Sequence, residues 1–275
     1  CALPISARGR RPVTAPPLPA LAGWMSTLAC FLPFAAGFLI PVAVLASHAT
    51  DPADWVSKGL VKALGHSLTV GGIAAVLTVI GGLFMVYGVR LSGRTLPRIL
   101  MPITAIGYAA PGAVLGLGIL VPLAAFDNRV ADFLYETTGY DPGLILTGSA
   151  AALVIAYVVR FFALSQGAAD AALGRVSPSL PMAARSLGQS AGGVLRRVYS
   201  PMIRASVAST LLLVFVDAVK ELPATLLLRP FNYDTLATRV HERASLEKIA
   251  EASTASLMIV LVGLVAVLLL ARANR

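Results

Sequence analysis

Acidic residues are scarce in this chain. Aspartate and glutamate total 13 against 22 lysines and arginines, a formal charge of +9 over 275 residues. Charged side chains of both signs make up 13% of the sequence, against about 25% in an ordinary soluble domain. That shortage excludes a conventional water-soluble surface, because a chain that is 57% hydrophobic would expose large apolar patches to water. Cysteine is limited to Cys1 and Cys30, and histidine to His48, His66 and His241. No Cys/His spacing of the metal-binding kind exists, so no metal ligand is assigned. Cys30 falls inside an apolar run and reads as a small buried hydrophobe. A Walker-type glycine loop is also missing, so the chain lacks that route to ATP. No catalytic residue and no cofactor are assigned to it.

Long apolar runs are what it has in quantity. Mean hydropathy is +0.81, and a membrane span needs about 20 mostly apolar residues. Six stretches qualify: Trp24–Ala46, Leu64–Tyr87, Leu100–Pro122, Gly143–Leu164, Ile203–Leu222 and Ala252–Ala271. The fold class expected is an all-α polytopic membrane protein, with the six-span domain over 24–275. Residues 1–23 read as a basic, proline-rich linker containing RGRRPVTAPPLPALAG. Its first six residues, CALPIS, look like read-through from outside the gene and are set aside. A start at Cys1 without methionine suggests a truncated chain.

Charge placement gives a sidedness. Lysine and arginine in short loops favour the cytoplasm. With both termini inside, the cytoplasmic segments hold Arg8, Arg10, Arg11, Arg90, Arg94, Arg98, Arg160, Arg175, Arg185, Arg196, Arg197, Arg204, Arg272 and Arg275, with Asp170 as their only acid. The other side collects Asp51, Asp54, Asp127, Asp132, Glu136, Asp141, Asp234, Glu242, Glu247 and Glu251. The basic excess is then topology, and nucleic acid is not an expected partner; the bilayer is. Trp24, Tyr87, Tyr157, Phe161 and Phe162 fall near cytoplasmic ends, as interfacial rings or as lipid-facing packing. In the third span, YAAPGAVLGLG places Gly112 and Gly116 at small-xxx-small spacing. Pro111 would kink or interrupt that helix, either for packing or to line a path.

The stretch AARSLGQSAGGVLRRVYSP, residues 183–201, lies between the fourth and fifth runs. PMAARSLG reads as a short helix closed by Gly188, and GGVLRRVYSP as a second one ended by Pro201. Arg185, Arg196 and Arg197 keep the segment out of the bilayer. Ala183, Ala184, Leu187, Val194, Leu195 and Val198 give it small apolar faces, suited to docking in a groove of another protein.

This segment resembles the EAA loop of bacterial ABC importer permeases, written E-A-A-x3-G-x9-I-x-L-P. Ala183 and Ala184 match the alanines, Gly188 the glycine and Pro201 the proline; Val198 stands for the isoleucine. Met182 replaces the acid and Ser200 the leucine, which puts one polar contact to the ATPase in doubt. The resemblance implies an ATPase-coupling loop of Ala183, Ala184, Arg185, Leu187, Gly188, Val198 and Pro201. It also implies an ABC ATP-binding subunit holding ATP and magnesium, a periplasmic substrate-binding protein, and a second permease half. KELPATLLLRPFNYDTLATRV, residues 220–240, and GYAAPGAVLGLGIL are similar to ferric-iron permeases, many of which fuse two six-span halves. The chain is therefore read as the C-terminal half of such a fusion, with a homodimerising half as the alternative. Ferric iron is the expected cargo; thiamine, phosphonate, sulfate and polyamine importers share the architecture.

Asp217, Lys220 and Glu221 stand near the outer end of the fifth span at i, i+3 and i+4, which places them on one helical face. They either form an acidic patch in the translocation path, with Pro111 and Gly112, or an Asp217–Lys220 pair that locks the helix. The polar segment 223–251 is expected outside, as a landing surface for the binding protein or as a solvated loop. A secondary transporter would need coupling charges deep in the membrane. Outside the span-five cluster the runs hold almost none, with Arg160 placed near a cytoplasmic end. An intramembrane enzyme lacks a convincing catalytic pair.

Overall fold

The computed structural model describes residues 19–273. Most of the expected linker therefore lies outside the described residues. Those residues contain six helices long and apolar enough to cross a membrane, one for each expected run. The chain divides into two compact units between Val44 and Leu45.

In the first unit the helix α1 (Ala20–His48) begins. Nothing between Ala20 and Phe34 is buried. Cys30 is exposed, not a buried hydrophobe as expected, because an apolar helix with no buried face leaves its small residues on the outside. A π turn occupies Ala35–Leu39, where the Ile40 N–H reaches the Ala35 carbonyl. Pro41 follows directly. A proline ring in a helix collides with the carbonyl four residues back, here Gly37, and the wider π turn moves that carbonyl aside.

In the second unit, a short helix α2 (Pro52–Trp55) precedes α3 (Lys58–Ser92). The expected third span is interrupted. It runs as α4 (Thr95–Leu100), a 3-10 turn over Met101–Ala105 and α5 (Ile106–Ala109). The chain then extends through Ala110 and Pro111 before α6 (Gly112–Thr138). Pro111 thus interrupts rather than kinks. Asp127, expected in an outer loop, is a fully buried residue inside α6. Its carboxylate accepts the N–H groups of Leu146 and Thr147, tying down the turn at 139–149.

That turn moves the fourth span. Ser149 caps α7 (Ala150–Gly174) by accepting the Ala151 N–H, and Gly148 before it takes a left-handed conformation. The helix starts and ends well after the expected Gly143 and Leu164. Arg160 is therefore mid-helix instead of near an end. Tyr157 and Phe161, expected at the interface, are buried in the core with Ala74, Ala152, Ala156 and Val214. Small residues let α3 and α7 approach closely along this seam.

The remaining elements are α8 (Ser179–Ser186), α9 (Ala191–Val219), α10 (Pro223–Leu228), α11 (Leu236–Ser245) and α12 (Ile249–Ala273). A second core, with Val86, Ala172, Leu173 and Ile203, lies near the ends of α3 and α7. A third, with Leu60, Ala63, Val219, Leu236 and Ala255, lies at their opposite side. Segment 223–251 is not a solvated loop. Ala224, Thr225 and Leu228 of α10 are buried, and α11 closes its first turn with a Thr235–Thr238 capping box.

Candidate functional site

The segment 179–201 is a protrusion with a defined stop. The N–H groups of Leu187, Gly188 and Gln189 reach the carbonyls of Ala183, Arg185 and Ala184. Gly188 holds φ +80 with open space around it, the left-handed geometry that ends a helix at glycine. Ser190 then opens α9 by accepting the Gly193 N–H at 3.2 Å.

Pro201 does not end the second helix. A π turn over Leu195–Tyr199, in which the Ser200 N–H reaches the Leu195 carbonyl, precedes it as the other π turn precedes Pro41. The clash with the Arg197 carbonyl is relieved in the same way. Helix α9 therefore runs as one helical stretch from the protrusion into the fifth span.

Helix α8 buries none of its residues. Ala183, Arg185, Leu187, Gly188 and Pro201 are exposed, while Ala184 and Val198 are half-buried. Leu187 is 82% exposed and Met182 is exposed as well. The base of the protrusion is fixed. The Tyr87 hydroxyl donates to the Ala191 carbonyl at 2.6 Å, and Tyr199 meets the Tyr87 ring edge-on at 5.7 Å. Arg175 donates to Ser206 Oγ at 2.8 Å, and Arg90 pairs with Asp170 at 2.7 Å.

A second cluster forms where the third span is interrupted and the fifth ends. Helix α9 stops at Val219, so Asp217, Lys220 and Glu221 do not share one helical face. Lys220 pairs with Asp217 at 2.8 Å and is 61% exposed. Glu221 turns the other way. Its side chain is 7% exposed, and Oε2 lies 2.9 Å from Nε of Arg160. The contact is electrostatic, since that N–H is not directed at the oxygen. Arg160 Nη1 donates to the Ala110 carbonyl at 3.3 Å, and Glu221 Oε1 accepts the Ala224 N–H at 3.3 Å. Thr225 donates its one hydroxyl proton to the Glu221 carbonyl at 2.7 Å. The Tyr157 hydroxyl, 2.6 Å from Thr225 Oγ1, must then be the donor of that second bond.

Gly112 is the floor of this cluster. A Cβ there would stand 2.9 Å from Glu221 Oε1, 3.0 Å from Arg160 Nη1 and 3.1 Å from Pro223 Cβ. The structure thus brings Pro111, Gly112 and Glu221 together and leaves Asp217 and Lys220 apart. Sequence reasoning missed Arg160, Tyr157 and Thr225 as members. The available signal was Arg160 itself, a lone charge inside the apolar run 151–164. An intramembrane charge requires a partner.

Residues 78–275 match the family of binding-protein-dependent transport system inner membrane components. The chain belongs to this family. It is a multi-pass inner-membrane permease of the ABC importer class. Among curated relatives, the Fe(3+)-transport system permease protein FbpB 2 of Haemophilus influenzae is 29% identical over 209 residues, covering 76% of this chain and 38% of the relative. The chain thus spans well under half the length of that relative. The putative 2-aminoethylphosphonate transport system permease protein PhnV of Salmonella typhimurium is 26% identical, covering 76% of this chain and 73% of the relative. The fold is that of a chain in the crystal structure of a bacterial alginate ABC transporter bound to its periplasmic protein, with TM-score 0.67, 17% identity and 92% of each chain covered. In the permease, the protrusion and the mid-span cluster both belong to the second unit.

Proposed function

We propose that this permease is the membrane-spanning part of an ATP-driven importer that carries ferric iron inward from a periplasmic binding protein. The observation that carries the reading is the exposed α8 tip joined to the fifth span by α9. A separate ATP-binding subunit docks on Met182, Ala183, Leu187 and Gly188, and it alone holds ATP and magnesium. Closure of that subunit moves α8, and α9 passes the movement into the membrane. ATP binding must favour one conformation over the other for this to do work.

Both termini and the protrusion lie in the cytoplasm, in keeping with the arginine excess there. A second permease half, fused or separate, completes the pathway. The turn at 229–235 and helix α11 form part of the outer surface that receives the binding protein. Arg229 pairs with Asp234 in that turn, and the Tyr233 ring stacks on His66 at 3.7 Å. Similarity to ferric permeases supports iron as cargo. Similarity to the phosphonate permease, over most of that relative's length, supports the second reading.

The test is co-purification of the assembled permease with its genetically neighbouring ATPase. Wild type should retain the ATPase, and Gly188→Asp should lose it by at least about tenfold. Gly188 stands at φ +80 in open space, a conformation aspartate tolerates better than most side chains, so the fold is kept while the added carboxylate meets the dock directly. Wild type that holds no ATPase would refute the reading. Uptake of labelled ferric iron against labelled 2-aminoethylphosphonate then decides the cargo.

A further inference from the structure

An interrupted span and the end of another meet at one ion pair. At the break in the third span, Ala110 and Pro111 are extended, with ψ 139 and 136. At the end of the fifth, α9 stops and Lys220 turns the chain before α10. Arg160 reaches both. It donates to the carbonyl at the break and faces the carboxylate at the end of the fifth span. Its own helix, α7, is packed along α3 and has no interruption. Arg160 is roughly 15 Å from the start of α7 at the usual rise per residue, so the pair sits at mid-span depth. The Asp217–Lys220 pair lies within one helix end and can bridge nothing.

The connection to the protrusion is direct. Glu221 follows the end of α9 by two residues, and α9 begins at the protrusion. Val214 and Ala218 of α9 pack against α3 and α7 in one core, so an axial slide of α9 along that seam carries Glu221 relative to Arg160, which belongs to α7. A buried pair cannot stretch gradually. Separating two charges at this depth leaves each without its counterion, so the contact is either made or replaced by other partners. Packed elements of this kind switch between discrete arrangements.

We propose that the Arg160–Glu221 pair is a latch of the transport cycle. It holds the break in the third span and the end of the fifth together in the conformation described here, and it opens each time the permease switches. Arg160 and Glu221 are positioning residues for transport, acting through the spans they join. The inference rests on the ATP-driven importer reading.

The experiment uses the assembled transporter in lipid vesicles, with Cys1→Ser and Cys30→Ser as background. Arg160→Cys and Glu221→Cys are introduced together and bridged with a bifunctional thiol reagent. Bridging should reduce transport and binding-protein-stimulated ATP hydrolysis by at least about tenfold, and a monofunctional reagent should not. A bridged protein that transports at half the unbridged rate or more overturns the latch. If the double variant fails to assemble, or does not transport before bridging, Glu221→Gln keeps the shape and removes the charge. It should raise ATP hydrolysis without binding protein at least about fivefold while transport falls. An unchanged ratio of unstimulated to stimulated hydrolysis overturns the latch equally. Wild-type hydrolysis stimulated by the binding protein is the control. Its absence overturns the importer reading and the latch with it, whereas a working wild type beside an unaffected bridged variant overturns the latch alone.

Discussion

Gly112→Ala is the smallest change that reaches the mid-span cluster. The new Cβ would lie 2.9 Å from Glu221 Oε1, 3.0 Å from Arg160 Nη1 and 3.1 Å from Pro223 Cβ. The carboxylate and guanidinium ends can swing, but each swing lengthens the ion pair or the bond to Ala110. The proline carbon is part of a ring and cannot swing. Overpacking a tight site costs about 1–3 kcal/mol. Alanine recovers about 0.5–1 kcal/mol of helix preference over glycine. Midpoint against midpoint, the net expectation is a loss of about 1 kcal/mol.

For a unit of this size each kcal/mol moves the melting temperature by about 2–4 °C, so a fall of about 2–4 °C follows. Thermal unfolding of the purified permease in one detergent, followed by loss of the monodisperse peak, measures it. The internal control is Gly118→Ala on the same helix. A Cβ at Gly118 meets nothing within 4 Å, so this variant should be as stable as wild type or slightly more so. If the two alanine variants melt together, the steric account of Gly112 is wrong.

Two further substitutions separate the remaining contacts. Tyr87→Phe removes the hydroxyl bond to the Ala191 carbonyl and leaves the ring on Tyr199. It should cost about 0.5–1.5 kcal/mol and loosen the protrusion, seen as faster proteolysis between α8 and α9 in the intact permease. Asp217→Asn breaks a pair whose lysine is largely in solvent, which is worth at most about 1 kcal/mol. Cargo uptake should stay near wild type; a collapse of uptake would restore Asp217 to the translocation path.

Some features were legible residue by residue. The helix stop at Gly188 could be read because glycine tolerates the left-handed turn that the next residues require. The break at Pro111 could be read because proline lacks the donor and crowds the preceding turn. Pro201 shows the limit of the same rule. It too signals a helix end, yet a π turn just before it lets the helix continue. The same bypass stands before Pro41 on a stretch with no buried residue, so packing alone does not decide whether a proline breaks a helix or is bypassed. Tyr157 and Phe161 looked interfacial because the fourth span was placed too early. The shift arose from Asp127, whose buried carboxylate organises the turn before α7. A lone aspartate in a polar stretch gives no sign of that.

The sequence by itself determined that there are six apolar helices, and that a short exposed segment with an EAA-like spacing stands between the fourth and fifth. Hydropathy is summed over about 20 residues, so this result survives a shift of several positions at either end. Only the tertiary structure decided where each span begins, that α9 joins the protrusion to the membrane as one helical stretch, and that Arg160 takes Glu221 as its partner. Those outcomes are choices among residues far apart in the chain. They are settled by which side chains meet when the helices pack, and no local pattern records that.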